Sequence, residues 1–203
     1  VAYVTTAQLK TYMGVTASTD DTLLGLCIDR AQSTIESYTN RKFEATADTT
    51  RKFTPTVADV YLGTGYAGDL IDDVTLATDY DLISITSITN GDGTALPTAQ
   101  VVMLPLNTTP AWAVRIKQGS TYAWTFTDNS FGAVSITGRW GYSLTAPANI
   151  QQATLRLASN MYRQRDGSPD LSNSIISADG SAIVSSAMAK DIEALLKPYR
   201  RRS

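Results

Sequence analysis

The chain has 203 residues, 43% of them apolar, with 17 basic against 19 acidic side chains and no histidine. That length and apolar share suit one domain, or a domain with an appendage, and exclude a disordered chain. The missing histidine removes Ser-His-Asp and Cys-His catalysis and the commonest zinc ligand, while the single cysteine, Cys27, rules out an internal disulfide.

In chain order, the opening Val1 to Thr6 lacks the basic and apolar regions of a signal peptide, and no apolar run approaches the roughly 20 residues of a membrane helix. Synthesis and assembly in a cytoplasm, away from any membrane, are therefore expected. Thr5 or Thr6 can cap a short helix through Met13, with Leu9, Tyr12 and Met13 on one side and Gly14 as its stop. Asp20 and Asp21 suit the positive end of a second helix, in which Leu23, Leu24, Cys27, Ile28, Ala31, Ile35 and Tyr38 trace an apolar stripe up to Asn40. Cys27 lies in that stripe and reads as a buried, inert thiol.

From Arg51 to Tyr142 the pattern becomes β-like: Val57 to Leu62, Leu70 to Leu76, Leu82 to Ile88, Gln100 to Leu104, Ala113 to Lys117, Tyr122 to Thr127 and Ala133 to Trp140. Asn90-Gly91-Asp92-Gly93, the Pro105 to Pro110 link and Asp128-Asn129 supply the turns, so an antiparallel sheet or small barrel is predicted. The last of these runs offers Val134, Ile136 and Trp140 to one buried face. Pro147 then opens a helix ending near Arg165, with Ile150, Ala153, Thr154, Leu157, Ala158 and Met161 at helical spacing. Asp166 to Ser185 reads as a flexible loop rich in Ser, Asp, Gly and Ala. A final helix over Ala187 to Leu196 shows Met188, Ile192, Leu195 and Leu196 on a face that needs a partner, before Pro198 and a basic end.

Charge is distributed unevenly. No Lys or Arg falls between Phe53 and Val114, where Asp59, Asp69, Asp72, Asp73, Asp79, Asp81 and Asp92 collect, whereas Lys197, Arg200, Arg201 and Arg202 crowd the last seven residues. Such asymmetry speaks of contacts and orientation rather than of fold. The spacing of the Asp residues matches no calcium loop, so they read as surface carboxylates that keep the sheet soluble. Gly63-Thr64-Gly65-Tyr66-Ala67-Gly68 fits G-x-G-x-x-G, but Asp69 to Val74 reads as an acidic strand where a phosphate site needs a helix N-terminus, so a hairpin loop is expected. Only Glu36, Glu44 and Glu193 are glutamates, and each suits a helical surface or a linker, which leaves a glycosidase pair without support. Arg163, Arg165, Lys190 and the terminal basic residues, with Tyr162 or Tyr199 for stacking, could touch phosphates. At a pI near 5.1, protein docking is the first reading of that tail and nucleic acid the second.

The succession Thr6-x-x-x-Lys10-x-Tyr12-x-Gly14, Asp20-Asp21-x-Leu23-Leu24, Ala31-x-x-x-Ile35-x-x-Tyr38-x-x-Arg41-x-Phe43 resembles the gp6-like head-tail connector (adaptor) proteins of tailed bacteriophages. So do Leu104-Pro105-x-Asn107, Val134-x-Ile136-x-Gly138-x-Trp140-Gly141-Tyr142, Pro147-x-x-Ile150-x-x-Ala153 and Tyr162-Arg163. The resemblance implies an α+β chain: a helical core of N-terminal and C-terminal helices with an inserted antiparallel β-sheet or small β-barrel domain. Its expected parts are N-terminal helices over 1–50, a β-rich region over 51–142, a core helix over 143–165, and a loop, helix and basic tail over 166–203.

The resemblance also implies a non-enzymatic structural protein of the virion neck, made in the bacterial host cytoplasm and working without a cofactor or metal. Implied partners are further copies in a homo-oligomeric ring, commonly of twelve, the portal protein above it, a stopper or tail-completion protein below, and phage DNA passing through the lumen without sequence-specific binding. Portal docking falls to Met188, Ile192, Leu195, Leu196, Lys197, Tyr199, Arg200, Arg201 and Arg202. A competing reading is a tail or baseplate β-module that binds a partner protein or a surface carbohydrate. It would use Trp112, Trp124 and Trp140 as sugar platforms, where the adaptor reading makes them largely sheet core.

Overall fold

The computed structural model describes residues 2–56, 70–164, 174–176, 182–184 and 189–201. The chain divides into two compact units, a helical one from Val1–Phe43 with Ala146–Ser203, and a sheet unit, Glu44–Thr145. The divisions fall at 43/44 and 145/146 rather than at the expected 50/51 and 142/143. Thr49 and Thr50 are already strand residues paired with Gly138 and Thr137, and Ala45 N–H donates to the Ser143 carbonyl (3.1 Å).

In the helical unit, α1 (Thr6–Met13) starts in a capping box: Thr5 is extended, its Oγ1 accepts from Gln8 N–H, and Gln8 Oε1 accepts from Thr5 N–H (2.7 Å). Gly14 ends the helix at φ 71°, and Val15 N–H donates back to the Lys10 carbonyl. The next helix, α2 (Asp21–Thr39), stops at left-handed Asn40 and buries Leu24, Cys27, Ile28, Ala31 and Ile35, each large aliphatic contributing about 1.5–3 kcal/mol. α3 (Ala148–Arg163) follows Pro147 and buries Ile150, Ala153, Thr154 and Ala158. These helices share a core of Val4, Leu9, Leu24, Cys27, Ile28, Ala31 and Ala158, with Met13, Leu155 and Met161 packed against it. Lys10 Nζ pairs with Asp21 at 2.8 Å, and Tyr162 Oη donates to the Asp20 carboxylate, so polar contacts bind α1 to α2 and α3 to the start of α2. Tyr12, expected beside Leu9, is instead 49% exposed.

The sheet unit holds β1 (Thr49–Phe53), β2 (Leu70–Asp72), β3 (Thr75–Thr89), β4 (Val101–Leu104), β5 (Ala111–Ile116) and β6 (Val134–Trp140). All pairings are antiparallel, in the order β1-β6-β3-β5-β4 with β2 also on β3. Strand β6 follows the predicted alternation, with Val134, Ile136, Gly138 and Trp140 buried and the residues between them less so. Gly138 permits the β3–β6 ladder, because a Cβ there would lie 2.1 Å from the Ser84 carbonyl oxygen. Trp140 Nε1–H donates to the Thr49 carbonyl (2.9 Å), and the Phe53 ring lies 5.6 Å away. The Arg51 guanidinium stands 3.5 Å over the Tyr80 ring and 5.1 Å from Trp140. Burial lowers the pKa of Arg51 against an opposing pull from Tyr80.

Several β expectations change. Leu70 to Leu76 is two strands of a hairpin with a turn at Asp73-Val74, not one run. Strand β3 slips register between Ala77 and Leu82, so Thr78–Asp81 bulge opposite Trp112. That bulge buries Asp81, expected on the surface, and its main-chain carbonyl accepts from Gly141 N–H (2.8 Å). Tyr122 to Thr127 forms no strand, because its backbone is held elsewhere: Ala123 and Thr125 bond to the Asn90 side chain, and Trp124 Nε1–H to the Val74 carbonyl. The run Val57 to Leu62 and the glycine motif at Gly63 to Gly68 lie outside the described residues.

Within the segment expected as a loop, β7 (Ser174–Ile176) pairs antiparallel with β8 (Ala182–Val184). The last helix, α4, spans Lys190–Leu196; Ala187 and Met188 lie outside the described residues.

Candidate assembly surfaces

The C-terminal segment of the helical unit was expected to present an apolar helix face and a basic end to a partner. Ile192 and Leu196, four apart and so on one side of α4, are buried at 1% and 0% exposure within the described chain. α4 contacts α3, and Arg156 of α3 pairs with Asp191 in the first turn of α4. These two side chains therefore hold α4 in place, and their surface is not open to a docking partner. Leu195 is half-buried, and Lys197 is exposed.

After α4 a 3-10 turn over Lys197–Tyr199 with Pro198 redirects the chain toward the C-terminal end of α2. The Tyr199 ring meets Phe43 edge-on at 5.7 Å, the Arg200 guanidinium stands 5.7 Å over the Tyr38 ring, and Arg201 N–H donates to the Thr39 carbonyl (2.9 Å). Phe43 is itself fixed, since its N–H donates to Tyr3 Oη, which donates in turn to Glu36. The basic segment therefore sits where the α2 dipole ends negative, which favours cations. It keeps one exposed cationic side, with Lys197 and Arg200 outermost and Arg201 half-buried; Arg202 lies outside the described residues.

A second surface was not anticipated. Leu26 is 56% exposed on α2 and borders an open groove of about 1040 Å³ with Leu23, Cys27, Arg30 and Met161. The signal was in the sequence: Leu26 is an aliphatic residue one step off the buried stripe, on the side of the helix expected to be polar.

In the sheet unit Trp124 and Trp140 are core residues, as the adaptor reading expected, but Trp112 is 50% exposed opposite the β3 bulge. Charge separates the two units. The sheet unit carries ten Asp and Glu against five Lys and Arg, and the helical unit nine against twelve. Among the described residues no group of three or more His, Cys, Asp or Glu is arranged to hold a metal ion, and no helix is long and apolar enough to cross a membrane. The Thr75 side chain close by and the Val74 N–H, which donates to Oδ1 at 3.0 Å, hold the carboxyl of Asp72 at the end of β2 below the ordinary carboxylate range, and the Thr94 hydroxyl and N–H do the same for Asp92 in the turn after β3.

Residues 3–62, from just before α1 to beyond β1, match the family of phage gp6-like head-tail connector proteins. No curated protein matches the chain. A chain of the neck of an empty GTA particle, computed with C6 symmetry, shares the fold with a TM-score of 0.61 at 14% identity, covering 99% of this chain and 91% of that one. A chain of the neck of the native GTA particle, computed with C12 symmetry, gives 0.58 at 16% identity over 97% and 88%. A chain of the virion of the native gene transfer agent particle gives 0.55 at 17% over 99% and 91%. The resemblance to head-tail connectors in sequence covers residues 3–62, and the α+β fold is shared with the GTA neck chains over nearly the whole chain.

Proposed function

We propose that this chain is a structural head-tail connector (adaptor) that assembles into a ring beneath the portal of a phage-like particle and links the DNA-filled head to the tail or its stopper. The observation that carries this reading is the fold shared with neck chains over 99% of the sequence, supported by the family match at residues 3–62. The C6 and C12 symmetries of those necks support a ring of repeated copies.

In this reading the protein performs no chemistry. Heterologous contacts between successive copies close the ring, and the opposite charge balance of the two units sets its direction. The portal-docking surface is the outer side of the C-terminal segment, formed by Leu195, Lys197, Tyr199, Arg200 and Arg201, with Met188 and Arg202 beside them in sequence. Carboxylates facing the lumen repel DNA phosphates and let the genome slide without sequence-specific binding. The carbohydrate-module alternative draws support only from exposed Trp112, since its two companion platforms are buried.

The test is native mass spectrometry of the protein mixed with its portal, with and without replacement of Arg200, Arg201 and Arg202 by Glu. A ring on the portal that the triple variant fails to form, while its circular dichroism stays native, is the expected result. A monomer that never binds the portal overturns the reading, and unchanged binding by the variant overturns the docking surface alone.

A further inference from the structure

The loop from Lys117 to Ala133, between β5 and β6, is fastened to the turn after β3 through one dipeptide. Asn90 is 4% exposed; its Nδ2–H donates to the Ala123 carbonyl (2.7 Å) and its Oδ1 accepts from Thr125 N–H (3.1 Å). Gly91 closes the same junction from the main chain, its N–H donating to the Thr125 carbonyl (2.9 Å). A Cβ at position 91 would lie 2.5 Å from that oxygen, 2.7 Å from Ala133 Cβ and 2.9 Å from Phe126 Cα, so glycine is required. The loop held this way exposes Tyr122, Phe126 and Phe131 while burying Trp124.

Asn followed by Gly is also a chemically labile pair. The glycine nitrogen, unhindered by any side chain, attacks Cγ of the asparagine; the carboxamide nitrogen leaves as ammonia with the N–H proton, and a succinimide ring forms. Water then opens either ring carbonyl to give aspartate or isoaspartate.

We propose that Asn90-Gly91 is a latent deamidation site, closed while the Lys117 to Ala133 loop is docked and irreversibly spent once the loop has opened. Cyclisation needs a Gly91 N–H free of its carbonyl and an Asn90 carboxamide free to turn onto it, and the docked loop occupies both. The products cannot restore the junction. Aspartate at position 90 sets an acceptor oxygen against the Ala123 carbonyl in place of the Nδ2–H donor, and isoaspartate adds a methylene to the main chain where not even a Cβ fits. The modification therefore records a loop opening and prevents its reversal.

Asn129-Ser130, in the same loop with an exposed Asn129, provides an internal standard. The full chain is incubated at mildly alkaline pH, native and in urea, and both sites are followed by peptide mass spectrometry. In urea Asn90 reacts first, as its glycine neighbour dictates. In the native protein the order reverses, with Asn90 slowed more than about 100-fold relative to the unfolded chain by the need for local opening. Trp124→Phe, which removes the Nε1–H bond to Val74 and part of the buried indole while keeping an aromatic ring in the core, accelerates Asn90 by about tenfold and leaves Asn129 unchanged. Equal Asn90 rates in the native and unfolded chains, or an Asn90 rate indifferent to Trp124→Phe in a folded variant, overturns the proposal. Should that variant not fold, the reversal of order in the unmodified chain decides alone.

Discussion

The two units set the limits of their elements by restraints of different range, although both pack through long-range contacts such as Tyr162 to Asp20 in the helical unit. In the helical unit the elements are set by neighbours along the chain: Thr5 with Gln8, Gly14 with Lys10 and Thr11, Thr154 with Ile150. In the sheet unit the decisive contacts join residues far apart, such as Trp140 to Thr49 across 91 positions and Trp124 to Val74 across 50. A substitution at one of those helix caps thus weakens one element, whereas one at these sheet contacts disturbs a junction on which several strands depend.

The contrast is broken most directly at Gly138. Gly138→Val forces a side chain into the Ser84 carbonyl and is expected to destabilise the protein by more than about 3 kcal/mol, read as a lower urea midpoint by tryptophan fluorescence. An unchanged midpoint means that the β3–β6 ladder can shift, and the contrast fails. Next in size is Ile192→Ala, expected to cost about 2–4 kcal/mol because α4 loses a fully buried side chain, while Lys197→Ala stays within about 0.5 kcal/mol. Retained stability with lost portal binding in Ile192→Ala would return that residue to the docking surface.

A smaller loss, about 1 kcal/mol, is expected for Thr5→Ala, which opens the capping box of α1. Thermal melting followed by helical circular dichroism checks it. The smallest effect concerns pH. Asp72 and Asp92 have folded pKa values below their unfolded ones, so their stabilisation is present above the unfolded carboxylate pKa and lost as pH falls through the folded value. Asp92→Asn should flatten the fall in stability as pH drops below the ordinary aspartate pKa of about 4 and leave neutral pH nearly unaffected, as acid titration of the unfolding midpoint will show.

Legibility follows the same division. Caps and 3.6-residue stripes are local, so α1, α2 and α3 could be read to within two residues or so, and the alternation in β6 placed Val134, Ile136 and Trp140 correctly. The β3 bulge could not be read, since Thr78–Asp81 falls between two expected runs, Leu70 to Leu76 and Leu82 to Ile88, and only the pairing of Ala77 with Ala113 and of Leu82 with Ala111 shows one strand passing through it. Tyr122 to Thr127 misled for a related reason: its β-type composition serves one buried asparagine 33 to 35 positions away. At the assembly surface, the apolar face of α4 was visible but not its occupant, because α3 covers it. Leu26 was overlooked because a stripe search rewards residues that fit the period.

The helical unit is assembled from two segments that flank the sheet unit in sequence, and this dictates an order of events at the ribosome. Leu24, Ile28 and Ala31 of α2 share their core with Ala158 of α3, which is synthesised more than a hundred residues later. At about 5–20 residues per second, the nascent N-terminal helices wait for several seconds with an apolar stripe uncovered, while the contiguous stretch from Glu44 to Thr145 can complete its own core first. The sheet unit is therefore expected to fold before the helical unit, and the apolar stripe of α2 is protected only once α3 has been made.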